Sequence, residues 1–143
     1  MRSLFFIEAK HSGKVFDVAT GSRENGAKII QYIKKSMDDP TVDNQLWYFN
    51  NGAIYNENSD LVIDVSDANI QNDTQIIQYE NNPECSDNQR WTYNEHDKTI
   101  SLKAHPNFVL DVKGSSQDDR APIILYNKNV TPNQQFILRY INK

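Results

Sequence analysis

Val15-Phe16-Asp17-Val18, Val62-Ile63-Asp64-Val65 and Val109-Leu110-Asp111-Val112 are three versions of one phrase, their acids separated by the same interval of 47 residues. The register continues downstream. Lys28-Ile29-Ile30-Gln31-Tyr32, Gln75-Ile76-Ile77-Gln78-Tyr79 and Pro122-Ile123-Ile124-Leu125-Tyr126 keep the same interval. Each unit then closes on Asn44-Gln45-Leu46-Trp47, Asn88-Gln89-Arg90-Trp91 or Asn133-Gln134-Gln135-Phe136. The spacing slips slightly at this last phrase because the segment Lys34 to Asp43 is longer than its two counterparts. Nine matches in register mark a threefold internal repeat, and a repeat of this length means one supersecondary unit used three times.

Each unit reads as four short strands. In the first, Phe5–Ala9, Lys14–Ala19, Lys28–Ile33 and Gln45–Phe49 are β-branched or aromatic runs of strand length. Ser-Gly, Asn-Gly and Asp-Asp-Pro stretches between them carry turn chemistry. Asn51-Gly52, flanked by Trp47-Tyr48-Phe49 and Ala53-Ile54-Tyr55, predicts a two-residue hairpin joining the first unit to the second, while the matching junction Asn94 to Lys98 is longer and charged. No apolar period of 3.6 residues is sustained, so helix content should be small. About twelve strands in three equal units fit a closed threefold barrel better than a propeller, which normally has more blades. The expectation is an all-β chain, a β-trefoil of pseudo-threefold symmetry, forming one domain over residues 1–143 with repeats of about 4–50, 51–97 and 98–143.

Composition removes several function classes. The 143 residues carry Lys+Arg 15 against Asp+Glu 19, a net charge of -4. That balance argues against a phosphate-backbone binder, so no nucleic-acid partner is expected. No run approaches the roughly 18 apolar residues of a membrane-spanning helix, and no membrane insertion is expected. Cys85 is the single cysteine, which rules out a disulfide within the chain and a thiolate zinc cluster. Residues 1–10 lack the apolar centre and cleavage site of a leader, so the expected location is cytoplasmic, or outside the cell after release without a signal peptide.

The repeated polar residues suggest a binding chemistry. Alternate strand side chains face opposite ways, so Asp17, Asp64 and Asp111 point away from the apolar side chains around them and are expected to face outward. An acid at the same place three times, followed each time by an outward tyrosine and an Asn-Gln pair, fits a sugar site. A ring offers a platform for the C–H face of a hexose. A carboxylate accepts charge-assisted bonds from adjacent hydroxyls. An amide both donates and accepts. The walls of the three sites would be Asp17, Tyr32 and Asn44; Asp64, Tyr79 and Asn88; and Asp111, Tyr126 and Asn133.

Gln45-Leu46-Trp47, Gln89-Arg90-Trp91 and the altered third copy Gln134-Gln135-Phe136 resemble the Gln-x-Trp repeat of ricin B-chain-type lectins, over residues 4 to about 140. Gly13–Val18 and Val42–Tyr48 are most similar to galactose-binding members from invertebrates such as the earthworm. The resemblance implies a β-trefoil that binds galactose or N-acetylgalactosamine without catalysis. It implies that the Asp takes the hydroxyls at C3 and C4, that the aromatic stacks on the sugar, and that the Asn bonds the C3 hydroxyl. Gln45, Gln89 and Gln134 would brace the Asp or the sugar. Glycans ending in galactose or N-acetylgalactosamine are therefore the expected partners, with no cofactor or metal, and with the protein a monomer or homodimer that cross-links glycans and agglutinates cells. Phe136, in place of the third Trp, is expected to fill the core.

Other function classes find less support in the same sequence. Cys85 has no evident histidine partner. His11, His96 and His105 lack metal-ligand spacing, and His11 and His105 read as loop histidines. Asp38-Asp39 and Asp118-Asp119 lie in loops and read as solvated pairs rather than a glycosidase dyad. The chief alternative is a β-trefoil that binds proteins or acts as an inhibitor, since a fold does not fix a function. Asn72-Asp73-Thr74 and Asn129-Val130-Thr131 match the glycosylation sequon, in a chain rich in asparagine.

Overall fold

The computed structural model describes residues 2–84 and 87–141; Cys85 lies outside the described residues. Twelve strands follow one another: β1 (Phe5–Ala9), β2 (Val15–Val18), β3 (Ile29–Tyr32), β4 (Trp47–Asn50), β5 (Ala53–Asn56), β6 (Val62–Val65), β7 (Thr74–Tyr79), β8 (Trp91–Tyr93), β9 (Ile100–Leu102), β10 (Phe108–Val112), β11 (Ile123–Asn127) and β12 (Phe136–Tyr140). Short 3-10 turns are the only helical pieces among the described residues. The expected low helix content and strand count are both met.

β1, β4, β5, β8, β9 and β12 make the barrel. β1 pairs antiparallel with β12 along five residues and with β4 at Phe5–Trp47; β4 pairs with β5, and β8 with β9. The remaining seams close through backbone bonds, from Trp91 N to the Gly52 carbonyl (2.8 Å) and from Phe136 N to the Lys98 carbonyl (2.8 Å). Closure leaves no free barrel edge. The other strands form three capping hairpins, β2–β3, β6–β7 and β10–β11. Asn51 and Gly52 both adopt positive φ (52° and 82°) between paired Asn50 and Ala53, the left-handed geometry of a primed hairpin turn.

One core fills the barrel and the undersides of the hairpins. Phe5, Ile7 and Ala9 enter it from alternate positions of β1, with Trp47, Trp91 and Phe136 from the three closing phrases. Phe16 and Val18, Ile63 and Val65, and Leu110 and Val112 enter it from the hairpins. Trp47 is fully buried, and its indole Nε1 donates to the Phe16 carbonyl (3.4 Å); Trp91 does the same to Ile63 (3.0 Å). Phe136, also fully buried, has no such donor and instead sets its ring edge-on to Phe16, with centroids 5.0 Å apart. The expectation that Phe fills the third Trp position is met.

The hairpins are joined in a ring around the pseudo-threefold axis. Gln31 Nε2 reaches the carbonyls of Ser116 and Asp118 in the third hairpin, and Gln78 Nε2 reaches those of Ser22 and Glu24 in the first. Each glutamine is held from behind by a serine hydroxyl: Ser12 bonds Gln31 and Ser59 bonds Gln78, both at 2.8 Å. In the third unit both members of the pair change together, to Pro106 and Leu125, so this tie is missing between the third and second hairpins. Nearer the axis Gln75 Nε2 partly closes the gap, donating to Ile123 O at 3.1 Å.

Trp47→Ala should lower unfolding free energy by about 3 to 5 kcal/mol, the usual range for deleting a large buried aromatic. Chemical denaturation with a two-state fit checks this. A loss below about 1 kcal/mol would mean that the ring does not support the barrel.

Candidate functional site

The Asn-Gln phrase of each unit sits in a short turn laid across the outer face of its hairpin. Val42–Gln45 and Pro132–Gln134 form single 3-10 turns, and the strand carrying Trp47 or Phe136 follows at once. This placement corrects the expected exposure of the three acids. The strand alternation holds, since each Asp points away from the core side chains. The far side, however, is covered by the turn rather than by water. Asp17, Asp64 and Asp111 are only 4%, 5% and 4% exposed.

A buried carboxylate must be hydrogen-bonded, and all three are held alike. Asp17 Oδ1 accepts from Asn44 Nδ2 (3.1 Å) and Oδ2 from Gln45 Nε2 (2.9 Å). Asp64 accepts from Asn88 (2.6 Å) and Gln89 (3.1 Å), and Asp111 from Asn133 (3.2 Å) and Gln134 (2.9 Å). One amide per oxygen uses about half the acceptor capacity of a carboxylate.

Gln45, Gln89 and Gln134 are fully engaged. Gln45 Nε2 also donates to the Ile33 carbonyl, and its Oε1 accepts from Lys35 N; Gln89 and Gln134 repeat the arrangement with Glu80 and Asn82, and with Asn127 and Asn129. The geometry makes them braces behind the acids. The asparagines vary more. Asn44 Oδ1 accepts from Lys35 Nζ (2.6 Å) and Asn133 Oδ1 from Thr131 Oγ1 (2.6 Å), whereas Asn88 is half-buried.

Each acid opens into a cleft beside the tyrosine of its own hairpin. The first cleft, about 620 Å³, is lined by Asp17, Tyr32 and Asn44; the second, about 320 Å³, by Asp64, Tyr79 and Asn88; the third, about 430 Å³, by Asp111, Tyr126 and Asn133. Every expected Asp, aromatic and Asn is thus brought together within its own unit. Of the three cleft tyrosines Tyr79 is the most open, at 41% exposure. His11, read as a loop histidine, is half-buried and bonds the Ser116 carbonyl through Nε2 (2.7 Å).

Sequence reading missed the rims. The first cleft also takes Arg23, Lys35 and Arg120, and the third takes Asp73 and Thr131. Arg120 and Asp73 belong to a neighbouring unit's hairpin tip, so repeat spacing could align these positions but not show which site they overlook.

A search against known families and structures adds to this geometry. Residues 4–136 match the model of the ricin-type beta-trefoil lectin domain. The chain belongs to that family. The earthworm R-type lectin C-half, solved in complex with GalNAc, is similar at 29% identity and TM-score 0.84, over 97% of this chain and 99% of that one. ThreeFoil, a designed 3-fold symmetric protein, is similar at 29% identity and TM-score 0.84, over 96% and 99%. Mucoricin of Rhizopus delemar is 45% identical over 56 residues, which are 39% of this chain and 36% of that relative's length. Family and neighbours establish the β-trefoil and support carbohydrate binding.

Burial is the main influence on the three acids and raises each above its ordinary value of 3.8, with the Gln and Asn bonds working against it. Lys35 also lowers Asp17, and Asp73 further raises Asp111. Between 3.8 and the raised midpoints the folded state holds more protons than the unfolded one. These groups therefore favour folding most in acid, and less as pH rises through that window. Carbon-detected NMR titration should place the Asp17 carboxyl midpoint above 3.8, and Gln45→Leu should move it higher still. A midpoint at or below 3.8 would contradict the burial.

Proposed function

We propose that this chain is a non-catalytic lectin for terminal galactose or N-acetylgalactosamine, with three binding sites. The observation that carries the reading is the triply repeated carboxylate, held at each oxygen by one amide and open on its remaining acceptor positions to a cleft with a tyrosine. Such a carboxylate is fixed in direction before a ligand arrives, and can accept from two adjacent hydroxyls. The tyrosine supplies the apolar platform, while Asn44, Asn88 and Asn133 complete the polar rim. The GalNAc complex of the earthworm domain supports this assignment. Gln45, Gln89 and Gln134 act through the acids.

One sugar ring in a shallow cleft should bind weakly, with a dissociation constant of about 0.1 to 1 mM, or roughly -4 to -5.5 kcal/mol. The sites lie on three hairpins around the axis, so one molecule can engage several glycans. On a glycan-dense surface the combined strength exceeds that of any single site, which supports cross-linking and agglutination.

Titrating galactose into labelled protein, with glucose as control, should shift backbone amides around Tyr32, Tyr79 and Tyr126. Silence from the folded protein at tens of millimolar would overturn the reading in favour of another ligand class. Asp17→Asn, Asp64→Asn and Asp111→Asn combined should remove the response; the change keeps the volume and one of the two amide bonds at each site, where alanine would strand both amides. Binding needs the ionised acids, so affinity should fall on acidification already above pH 3.8, the reverse of these groups' effect on folding. Affinity unchanged through their titration would remove the carboxylates from the site.

A further inference from the structure

The three sites share their Asp, Tyr and Asn but not their electrostatic rims. Each is overlooked by a residue from another unit's hairpin tip, fixed by a backbone bond to the residue just before the site's tyrosine. Arg120 N donates to Gln31 O (2.7 Å) beside Tyr32, Gly26 N to Gln78 O (2.8 Å) beside Tyr79, and Asp73 N to Leu125 O (2.9 Å) beside Tyr126. All three tip residues have positive φ (73°, 89° and 71°). Glycine occupies that conformation freely and aspartate tolerates it; a long side chain does so at a conformational disadvantage. An arginine kept in such a place is a reason to ask what its charge does.

Arg120 is not spent on an ion pair. Its guanidinium carbon lies 5.6 Å from the centre of the Tyr32 ring. Two more cations line the same cleft. Arg23 is held by a neutral partner, Asn58 Oδ1 (3.0 Å), and Lys35 by Asn44 Oδ1 and the Thr41 carbonyl. Among the described residues none of the three forms a salt bridge, although the chain as a whole is acidic. Against them the cleft sets two carboxylates, Asp17 and Asp43. The equivalent positions elsewhere are uncharged or acidic: Ile70 and Gln117 for Arg23, Asn82 and Asn129 for Lys35, Gly26 and Asp73 for Arg120.

We propose that the first site, resting on the galactose reading above, selects galactosides that carry an anionic group, a sulfate or a sialic acid carboxylate, through Arg120, Arg23 and Lys35. Asp17 and Tyr32 hold the galactose ring, and the cationic rim holds the substituent. An arginine fork suits either anion because both present paired oxygens. Among the described residues the second cleft has no cation and carries Glu80. The third sets one cation, Lys113, against Asp73 and Asp111, and favours the anion less than the first.

The test is amide NMR titration of the whole chain with galactose, galactose sulfate, sialyllactose, lactose and inorganic sulfate, at low and high salt. Around Tyr32 the sulfated or sialylated sugar should bind about three- to tenfold more tightly than its neutral parent, a gain fitting a few exposed charge pairs. The gain should fade in salt as screening shortens the reach of the charges, and should collapse in Arg120→Gly, which installs the second site's own tip residue. Sulfate and sialyl arms separate the two sources of negative charge, and preference for either one supports the proposal. Equal gains at all three sites, no gain at the first, or inorganic sulfate binding as tightly as the sulfated sugar would overturn it. So would tighter binding of neutral galactose in Arg120→Gly, which would make the arginine a cover for the ring. If neutral galactose shifts amides but charge adds nothing, this inference alone fails; if no sugar shifts any amide, the lectin reading fails with it.

Discussion

The structure depends on a grip by two side chains, two residues apart, on two successive residues of a hairpin strand. In the first unit Gln45 takes the Asp17 carboxylate while Trp47 takes the Phe16 carbonyl; in the second Gln89 and Trp91 take Asp64 and Ile63. Positions two apart in extended chain face the same way. The Gln-x-Trp phrase therefore locks the cleft carboxylate and a barrel wall with one segment. It explains why a buried acid is tolerated at all: desolvation is offset by bonds from a turn that the core itself holds in place. The third unit keeps the polar half of the grip through Gln134 and replaces the indole bond with ring packing at Phe136.

The clefts have two layers of control. The inner layer, acid, amide and tyrosine, comes from a single unit and is nearly invariant around the axis. The outer layer is contributed across units by hairpin tips, and its charge changes from Arg120 to Gly26 to Asp73. A mutation at a tip can then alter the lining of one cleft without touching the braces on which folding relies.

Much of this was legible in the sequence. The interval between Asp17, Asp64 and Asp111 gave the threefold plan, Asn51-Gly52 its first inter-unit turn, and the alternation in Val-Phe-Asp-Val the side on which each acid stands. Burial of those acids was not legible, because a period of two gives a direction and not what lies in that direction; the covering turn is brought in from residues 42–45, a long way along the chain. The gap at Pro106 and Leu125 could be seen only as a departure in composition until Ser12, Gln31, Ser59 and Gln78 were seen to touch. Tip residues escaped for the same reason, since their effects fall on a neighbour's site.

The paired change to Pro106 and Leu125 makes one joint of the ring unlike the other two. Two joints carry a serine-backed glutamine reaching two carbonyls, beside a single backbone bridge each; the third lacks that glutamine and instead pairs β11 with β7 over Ile124–Gln75 and Leu125–Thr74, with Gln75 donating near the axis. Main-chain bonds do not depend on which side chain a residue carries. A single substitution can therefore remove a fastening from either glutamine joint, whereas the joint between the second and third hairpins is the one built to absorb sequence change.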